Sequence, residues 1–289
     1  MIPHEWIWRF RLTSVGQPPK SFSTEKGETD MLNGKSIIVT GCSSGIGAET
    51  ARLVKEMGGT VIGVDRNETS ENVDTFFQAD LSYRASIDKL VAALPSGANG
   101  LANIAGVPPT APADLVIRVN LVGLKYFTNK IVDGLADGAS IVNLASLAGA
   151  GWQNAVDQIK DAANLDFGEV EPFVARHEIA ETKGRSYFFA KEALVVWTMQ
   201  NRWTWRDRGI RMNSVSPGAV ETPILQDFLD TLGKKAEESR KVMDRFGTPK
   251  DVAPVVVFLL SDMTPWIRGT NIPVDGGQVA NVLCNMNGL

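Results

Sequence analysis

Within SYFFAK, residues 186–191, a tyrosine and a lysine stand four apart, Tyr187 and Lys191. That spacing puts both side chains on one face of a helix. Free tyrosine has a pKa near 10 and is a poor base at neutral pH. Bringing it to about 7 takes roughly 4 kcal/mol of differential stabilisation. A lysine ammonium about 4 Å away gives about that much at an effective dielectric of about 20. The pair can therefore make a phenol that moves protons, provided the helix face looks onto a cofactor. Spacing alone describes an ordinary helix turn equally well, so the rest of the chain has to supply that cofactor.

TGCSSGIG, residues 40–47, follows a short apolar run and opens a helical pattern. Gly41, Gly45 and Gly47, with Ile46 between the last two, allow a tight turn and close approach of backbone to a pyrophosphate. The helix start adds unpaired N–H donors and a partial positive charge. Ser43 and Ser44 add hydroxyl donors, or serve as simple caps. The strand–loop–helix context turns a weak glycine pattern into an expectation of nucleotide binding. Asp65 ends the next apolar run, twenty positions after Gly45. A carboxylate there accepts hydrogen bonds from both hydroxyls of an adenosine ribose and repels a 2′-phosphate, which favours NAD over NADP. Arg66 beside it offers the opposite reading, an NADP-dependent carbonyl reductase.

The elements that must position these groups alternate along the chain. SIIVTG, TVIGVD, FFQAD, GLANIAG, ASIVNLAS, IRMNSVSPG and TNIPVDGG read as strands. IGAETARLVKEM, YRASIDKLVAAL, SYFFAKEALVVWTMQNRWTWRD and PKDVAPVVVFLLSD read as helices, and ADLVIRVNLVGLKYFTNKIVDGL as one long helix. Continuous apolar strands between helices predict a parallel sheet buried on both faces. The expected fold is α/β, a single doubly wound Rossmann domain over 31–289 with a mostly parallel seven-stranded sheet. Two stretches break the alternation: an insertion at about 150–185, and an amphipathic segment at about 221–247 that reads as a substrate lid. Both leave carboxyl ends of strands, where ligands bind in open parallel sheets. Trp152, Phe173, Phe188, Ile224, Leu225 and Phe228 are candidate pocket walls, with core packing as the competing role. Residues 1–30 read as an irregular N-terminal extension in which Trp6, Ile7, Trp8 and Phe10 are available to dock.

Bulk properties exclude several classes. A formal net charge of -4 leaves no basic footprint for nucleic acid and no polybasic patch for a membrane. No apolar run reaches the length of a membrane span. Two cysteines at opposite ends and two histidines give no disulfide framework and no metal-ligand pattern. A reducing compartment, the cytoplasm, is the expected location.

In combined order these residues resemble the short-chain dehydrogenase/reductase family over Leu32 to Gly277. TGCSSGIG is similar to its glycine motif, and Asp80-Leu81 to its adenine-contacting pair. Asn103, Ile104, Ala105 and Gly106 resemble its NNAG segment. Tyr187 and Lys191 match its YxxxK, Ser146 its catalytic serine and Asn120 its catalytic asparagine. Pro217, Gly218, Val220 and Thr222 resemble the segment that closes over the nicotinamide. The resemblance implies hydride transfer between an alcohol or carbonyl substrate and NAD, in a homo-oligomer, dimer or tetramer. It implies Tyr187 as acid and base, Ser146 on the substrate oxygen, Lys191 on the nicotinamide ribose, and Asn120 holding a water that links Lys191 to solvent. The long gap between Ser146 and Tyr187, with YFFAKEALVVW and WIRGTNIPVDGG, is similar to the coniferyl-alcohol and 3α-hydroxysteroid dehydrogenase subgroup, closest to the coniferyl-alcohol type. An aryl or allylic alcohol such as coniferyl alcohol is the expected substrate, with a hydroxysteroid as the alternative. A protein that senses NAD(H) without turnover is the reading of another class, and intact Ser146, Tyr187 and Lys191 argue against it.

Overall fold

A computed structural model of the chain describes residues 30–233 and 243–289. The expected N-terminal extension up to residue 29, and 234–242 of the expected lid, lie outside the described residues. Seven strands form one sheet: β1 Ser36–Thr40, β2 Thr60–Asp65, β3 Thr75–Gln78, β4 Gly100–Asn103, β5 Ser140–Leu144, β6 Arg211–Pro217 and β7 Asn271–Val274. Their order is β3-β2-β1-β4-β5-β6-β7. Every pairing is parallel. Strand β6 is buried at every position and β1 at all but its first, as the unbroken apolar runs require of a sheet covered on both faces. The order reverses between β1 and β4. The loops after those strands therefore part at their carboxyl ends and leave a crevice.

The helices that flank this crevice begin with α1 Gly45–Glu56, α2 Arg84–Ala93, α3 Ala113–Ile117 and α4 Leu124–Ile131. The long helix expected from 113 to 135 forms as one uninterrupted helical run from Ala113 to Gly134 whose geometry changes along its length. A π-helical turn, Arg118–Gly123, separates α3 from α4. Asn120 lies inside that turn, and its side chain bonds backbone outside the helix, the competition that makes asparagine a poor interior helix residue. Such turns are frequent at functional sites.

The insertion is mostly helical: a 3-10 stretch Leu147–Ala155, α5 Val156–Asp161, and α6 Val170–Arg176. It is tied to the domain by polar contacts on its outer side. Arg84 pairs with Asp166, Arg118 with Glu171, and the Lys125 ammonium donates to the Ala163 carbonyl at 2.8 Å. Inside, Phe173 is fully buried and its ring lies 5.3 Å from that of Phe189 on α7, Arg185–Gln200. Phe173 is therefore core, and its candidacy as a pocket wall is corrected here. Then follow α8 Leu225–Leu232, α9 Pro249–Leu260 and α10 Gln278–Met286. No helix among the described residues is long and apolar enough to cross a membrane.

Phe173 gives a direct check on this assignment. Phe173→Ala should lower the unfolding free energy by about 3 to 5 kcal/mol, the cost of a large buried cavity. Denaturant titration measures it. A pocket-wall role would instead raise KM with stability unchanged.

Candidate active site

The glycine loop joins β1 to α1. Gly41 has φ +73°, a left-handed conformation that favours glycine. A Cβ on Gly47 would lie 1.9 Å from the carbonyl oxygen of Gly41, so no side chain fits there. Helix α1 opens at Ser44 in extended conformation, without a side-chain capping bond and without an acidic residue in its first turn. Its N-terminal N–H groups and positive dipole end are thus left for an external anion. A dinucleotide pyrophosphate fits these features: a tight turn with glycine where the backbone comes closest, beside an uncapped helix start.

Asp65 stands at the end of β2, buried against this loop. One carboxylate oxygen accepts from the Ser43 amide at 3.0 Å and the other from the Asn67 amide at 2.9 Å. Arg66 is exposed. Asp80 engages one carboxylate oxygen with the amide and hydroxyl of Ser82, at 2.8 and 2.7 Å, and the adjacent Leu81 is buried. The loop after β4 is held from below by Thr40, whose hydroxyl oxygen accepts from the amides of Ile104 and Ala105 at 3.0 and 3.1 Å. Sequence reasoning passed over Thr40, although it opens the TGCSSGIG string. Asn103 differs from expectation. Its side-chain amide donates inward, to Thr128 and Asn143, so that side chain does not face the cofactor crevice.

Ser146 follows β5, and its hydroxyl accepts from the Ala148 amide at 3.2 Å. Ser146 and Tyr187 line the same cavity, and Ser146 is near enough to the phenol to favour its ionised form. Tyr187 and Lys191 lie on one face of α7, as their spacing demands, with the Lys191 nitrogen 5.5 Å from the Tyr187 ring centroid. Both are buried. The Lys191 ammonium donates to the Leu144 carbonyl at 2.6 Å. Burial draws its pKa down to about 7. Burial also pushes the Tyr187 phenol above its ordinary value, and the neighbouring Ser146 opposes that rise without cancelling it.

The expected lowering of the phenol by Lys191, with further positive charge from oxidised nicotinamide, is not met in the chain by itself. Burial opposes the charge on Lys191, so the field it exerts on the phenol is set against its own desolvation. In the chain by itself the phenol stays protonated at neutral pH. Asn120 is fully buried, its amide oxygen accepts from the Val107 amide at 2.8 Å and its amide nitrogen donates to the Val107 carbonyl at 3.0 Å. Each end thus bonds Val107, and the side chain pins the 104–107 loop.

A cavity of about 600 Å³ opens beside the Ser146–Tyr187 pair. Ile46, Pro217, Gly218, Val220 and Thr222 line it, as do Phe188, Ile224 and Phe228. The Phe228 ring stands edge-on to Tyr187 at 4.9 Å between centroids. Met243, Phe246 and Leu229 join the lining without having been singled out in the sequence. The apolar face of the lid segment was the signal that could have found them. Trp152 and Leu225 are not on the cavity, and Trp152 packs on the core instead.

Comparison with known proteins decides what this arrangement belongs to. The short chain dehydrogenase family matches residues 35–156, and the related enoyl-(acyl carrier protein) reductase family matches residues 173–278. The coniferyl-alcohol dehydrogenase of a Pseudomonas species is 43% identical over 249 residues, 85% of this chain and 97% of the relative. The chain belongs to the short-chain dehydrogenase/reductase family. The 3-alpha-hydroxysteroid dehydrogenase/carbonyl reductase of Comamonas testosteroni is 31% identical over 252 residues, 83% of this chain and 95% of the relative. The crystal structure of a Pseudomonas 3-alpha-hydroxysteroid dehydrogenase complexed with NADH superposes with a TM-score of 0.75 and 29% identity, covering 86% of this chain and 98% of that one. This dehydrogenase/reductase is an oxidoreductase that works with a nicotinamide cofactor on a small-molecule substrate.

The glycine loop of the enzyme can be tested without substrate. Gly47→Ala forces the loop off Gly41 and should weaken NADH binding by about tenfold or more, the equivalent of about 1.4 kcal/mol. Fluorescence titration with NADH measures it. Affinity equal to wild type would separate this loop from the dinucleotide.

Proposed function

We propose that the enzyme is an NAD-dependent alcohol dehydrogenase that interconverts aryl or allylic alcohols, coniferyl alcohol among them, with their carbonyl forms. The observation that carries this reading is that Ser146 and Tyr187 line one apolar cavity of about 600 Å³. That size suits one small ligand buried on most sides. Phe188, Phe228 and Phe246 offer ring faces and edges to a planar aryl group. The 43% identical coniferyl-alcohol dehydrogenase supports the same substrate class. A hydroxysteroid or ketone is the second reading, supported by the 31% identical hydroxysteroid dehydrogenase/carbonyl reductase. Assembly is proposed as a homo-oligomer, dimer or tetramer, on family membership.

Each residue then has a part. Tyr187 takes the hydroxyl proton during oxidation and returns it during reduction. Ser146 holds the substrate oxygen beside the phenol, stabilising charge as it develops. Lys191 sits under the phenol ring and reaches the nicotinamide ribose. The glycine loop with Ser43 and Ser44 holds the pyrophosphate, Asp65 the adenosine ribose, and Asp80 with Leu81 the adenine. Ala105 and Gly106 flank the crevice, on a loop fixed by Thr40 and Asn120. Pro217, Gly218, Val220 and Thr222 close over the nicotinamide end. When bound, the oxidised cofactor supplies the hydride acceptor and a positive charge that favours the phenolate.

Three outcomes test the proposal. A panel of cinnamyl and benzyl alcohols, hydroxysteroids and terpenoid alcohols should give highest kcat/KM with an aryl or allylic alcohol. No turnover across the whole panel would favour an NAD(H)-sensing role instead. Tyr187→Phe should lower kcat by about a hundredfold or more while NADH still binds. With wild type, oxidation needs the deprotonated phenol, so its rate rises with pH, whereas reduction needs the protonated form and falls over the same range. Because the phenol of the cofactor-free chain lies above its ordinary range, the break in the kcat profile for oxidation should fall well below the pH at which that free phenol ionises. Ultraviolet difference titration against Tyr187→Phe locates the latter.

Asp65 supports NAD over NADP. Its carboxylate is anchored by two backbone amides at the end of β2, where its charge would repel a 2′-phosphate. Wild type should prefer NAD to NADP, and Asp65→Ser should shift the ratio of kcat/KM values toward NADP by about tenfold or more. An NADP preference in wild type would give the site to Arg66.

A further inference from the structure

Four buried polar side chains run in a directed chain through the core, away from the reacting groups. Asn103 on β4 donates its amide to the Thr128 hydroxyl on α4 and to the Asn143 amide oxygen on β5, both at 2.9 Å. Asn143 donates in turn to the Thr198 hydroxyl on α7 at 2.9 Å. Each hydroxyl passes its proton back to its own helix: Thr128 to the Leu124 carbonyl at 2.8 Å, Thr198 to the Leu194 carbonyl at 2.9 Å. All four residues are at most 1% exposed.

Thr198 is seven residues beyond Lys191, two turns along α7. Lys191 donates to the Leu144 carbonyl, and Leu144 follows Asn143 on β5. Helix α7 is therefore fastened to adjacent residues of one strand at two points about 10 Å apart along its axis. That same strand runs directly into Ser146. Two directional bonds fix both the sliding and the rotation of the helix against the strand. Apolar packing alone is non-directional.

Stabilisation does not account for the arrangement. The Asn103 amide oxygen is buried without a hydrogen-bond partner, which costs about 1–3 kcal/mol. Apolar residues of similar shape would hold the same elements together at no such cost. The Thr198 proton is committed to Leu194, so the hydroxyl can only accept from Asn143, and the bond has one sense. We propose that the Asn143–Thr198 hydrogen bond is a positioning contact that sets the register of α7 on β5, and with it the reach of Tyr187 to Ser146. The inference rests on the proposed roles of Ser146 and Tyr187.

Thr198→Val keeps the shape and removes the acceptor, Thr198→Ser restores it, and Thr128→Val removes a bond of the same network that does not touch α7. Each is measured in the full-length protein for kcat with the best alcohol of the panel, for NADH affinity, for thermal midpoint and for the ionisation of the Tyr187 phenol without cofactor. Thr198→Val should bind NADH as wild type does, lose about tenfold to a hundredfold in kcat through misplacement of about an ångström, and shift the phenol ionisation. Thr198→Ser should regain kcat to within about threefold. Thr128→Val should lower the thermal midpoint with kcat kept. Equal kcat losses in Thr198→Val and Thr128→Val, no rescue by Thr198→Ser, or a Thr198→Val enzyme with wild-type kcat and phenol ionisation would overturn the proposal. If Thr198→Val does not fold, Thr198→Ala takes its place with the same criteria. Tyr187→Phe run alongside separates the failures: wild-type turnover in that variant sinks the reading of the site itself, whereas an inactive Tyr187→Phe with an unaffected Thr198→Val sinks the positioning contact alone.

Discussion

Lys191 sits buried with its ammonium nitrogen 2.6 Å from the carbonyl oxygen of Leu144. Its whole usefulness depends on two opposed consequences of that position. A dry setting strengthens the field it exerts on the phenol above it, and the same dryness penalises its own charge. In the chain alone burial lowers the lysine and raises the tyrosine, so the phenol keeps its proton. On the proposed mechanism an oxidised nicotinamide would add a positive charge that favours the phenolate, and the reduced form would not.

Everything else in the domain serves to bring that helix to the end of the sheet. The parallel order parts the loops after β1 and β4. The glycine loop lies along one side of the gap, tightened by the closeness of Gly47 to Gly41, where any side chain on Gly47 would collide. Thr40 and Asn120 then hold the facing loop from two directions, through the amides of residues 104 and 105 and both backbone groups of Val107. These contacts are small side chains on backbone, the kind that set geometry with little bulk.

The central strands were legible from short apolar runs such as SIIVT and TVIGV, buried on both faces, whereas the edge strands β3 and β7 are only partly buried. Tyr187 and Lys191 were legible as a pair because helix periodicity alone puts residues four apart on one face. Their protonation was not, since it depends on how dry the site is, and dryness comes from elements far away in sequence. Asn120 read as a ligand holder because an amide inside an apolar helix is conspicuous; its partner, the backbone of Val107, carries no sequence signal at all. Asn103 misled for the same reason, its bonds running to Thr128 and Asn143 inside the sheet. Phe173 and Trp152 were ambiguous by type, because an aromatic residue near a strand end serves a pocket wall or a core equally well, and only the path of the insertion separates the two.

That insertion bears on the chemistry through burial. Its first stretch passes α7 so closely that a Cβ on Gly149 would lie 2.7 Å from the backbone oxygen of Lys191. Further on, Phe173 covers Phe189 on the same helix. With the sheet on one side and this segment on the other, α7 is buried around most of its circumference, an unusual state for a helix that carries a lysine. A shorter connection would leave part of that circumference to water or to another subunit, and water would restore the lysine charge at the expense of its field. The added residues thus help to keep Lys191 out of water.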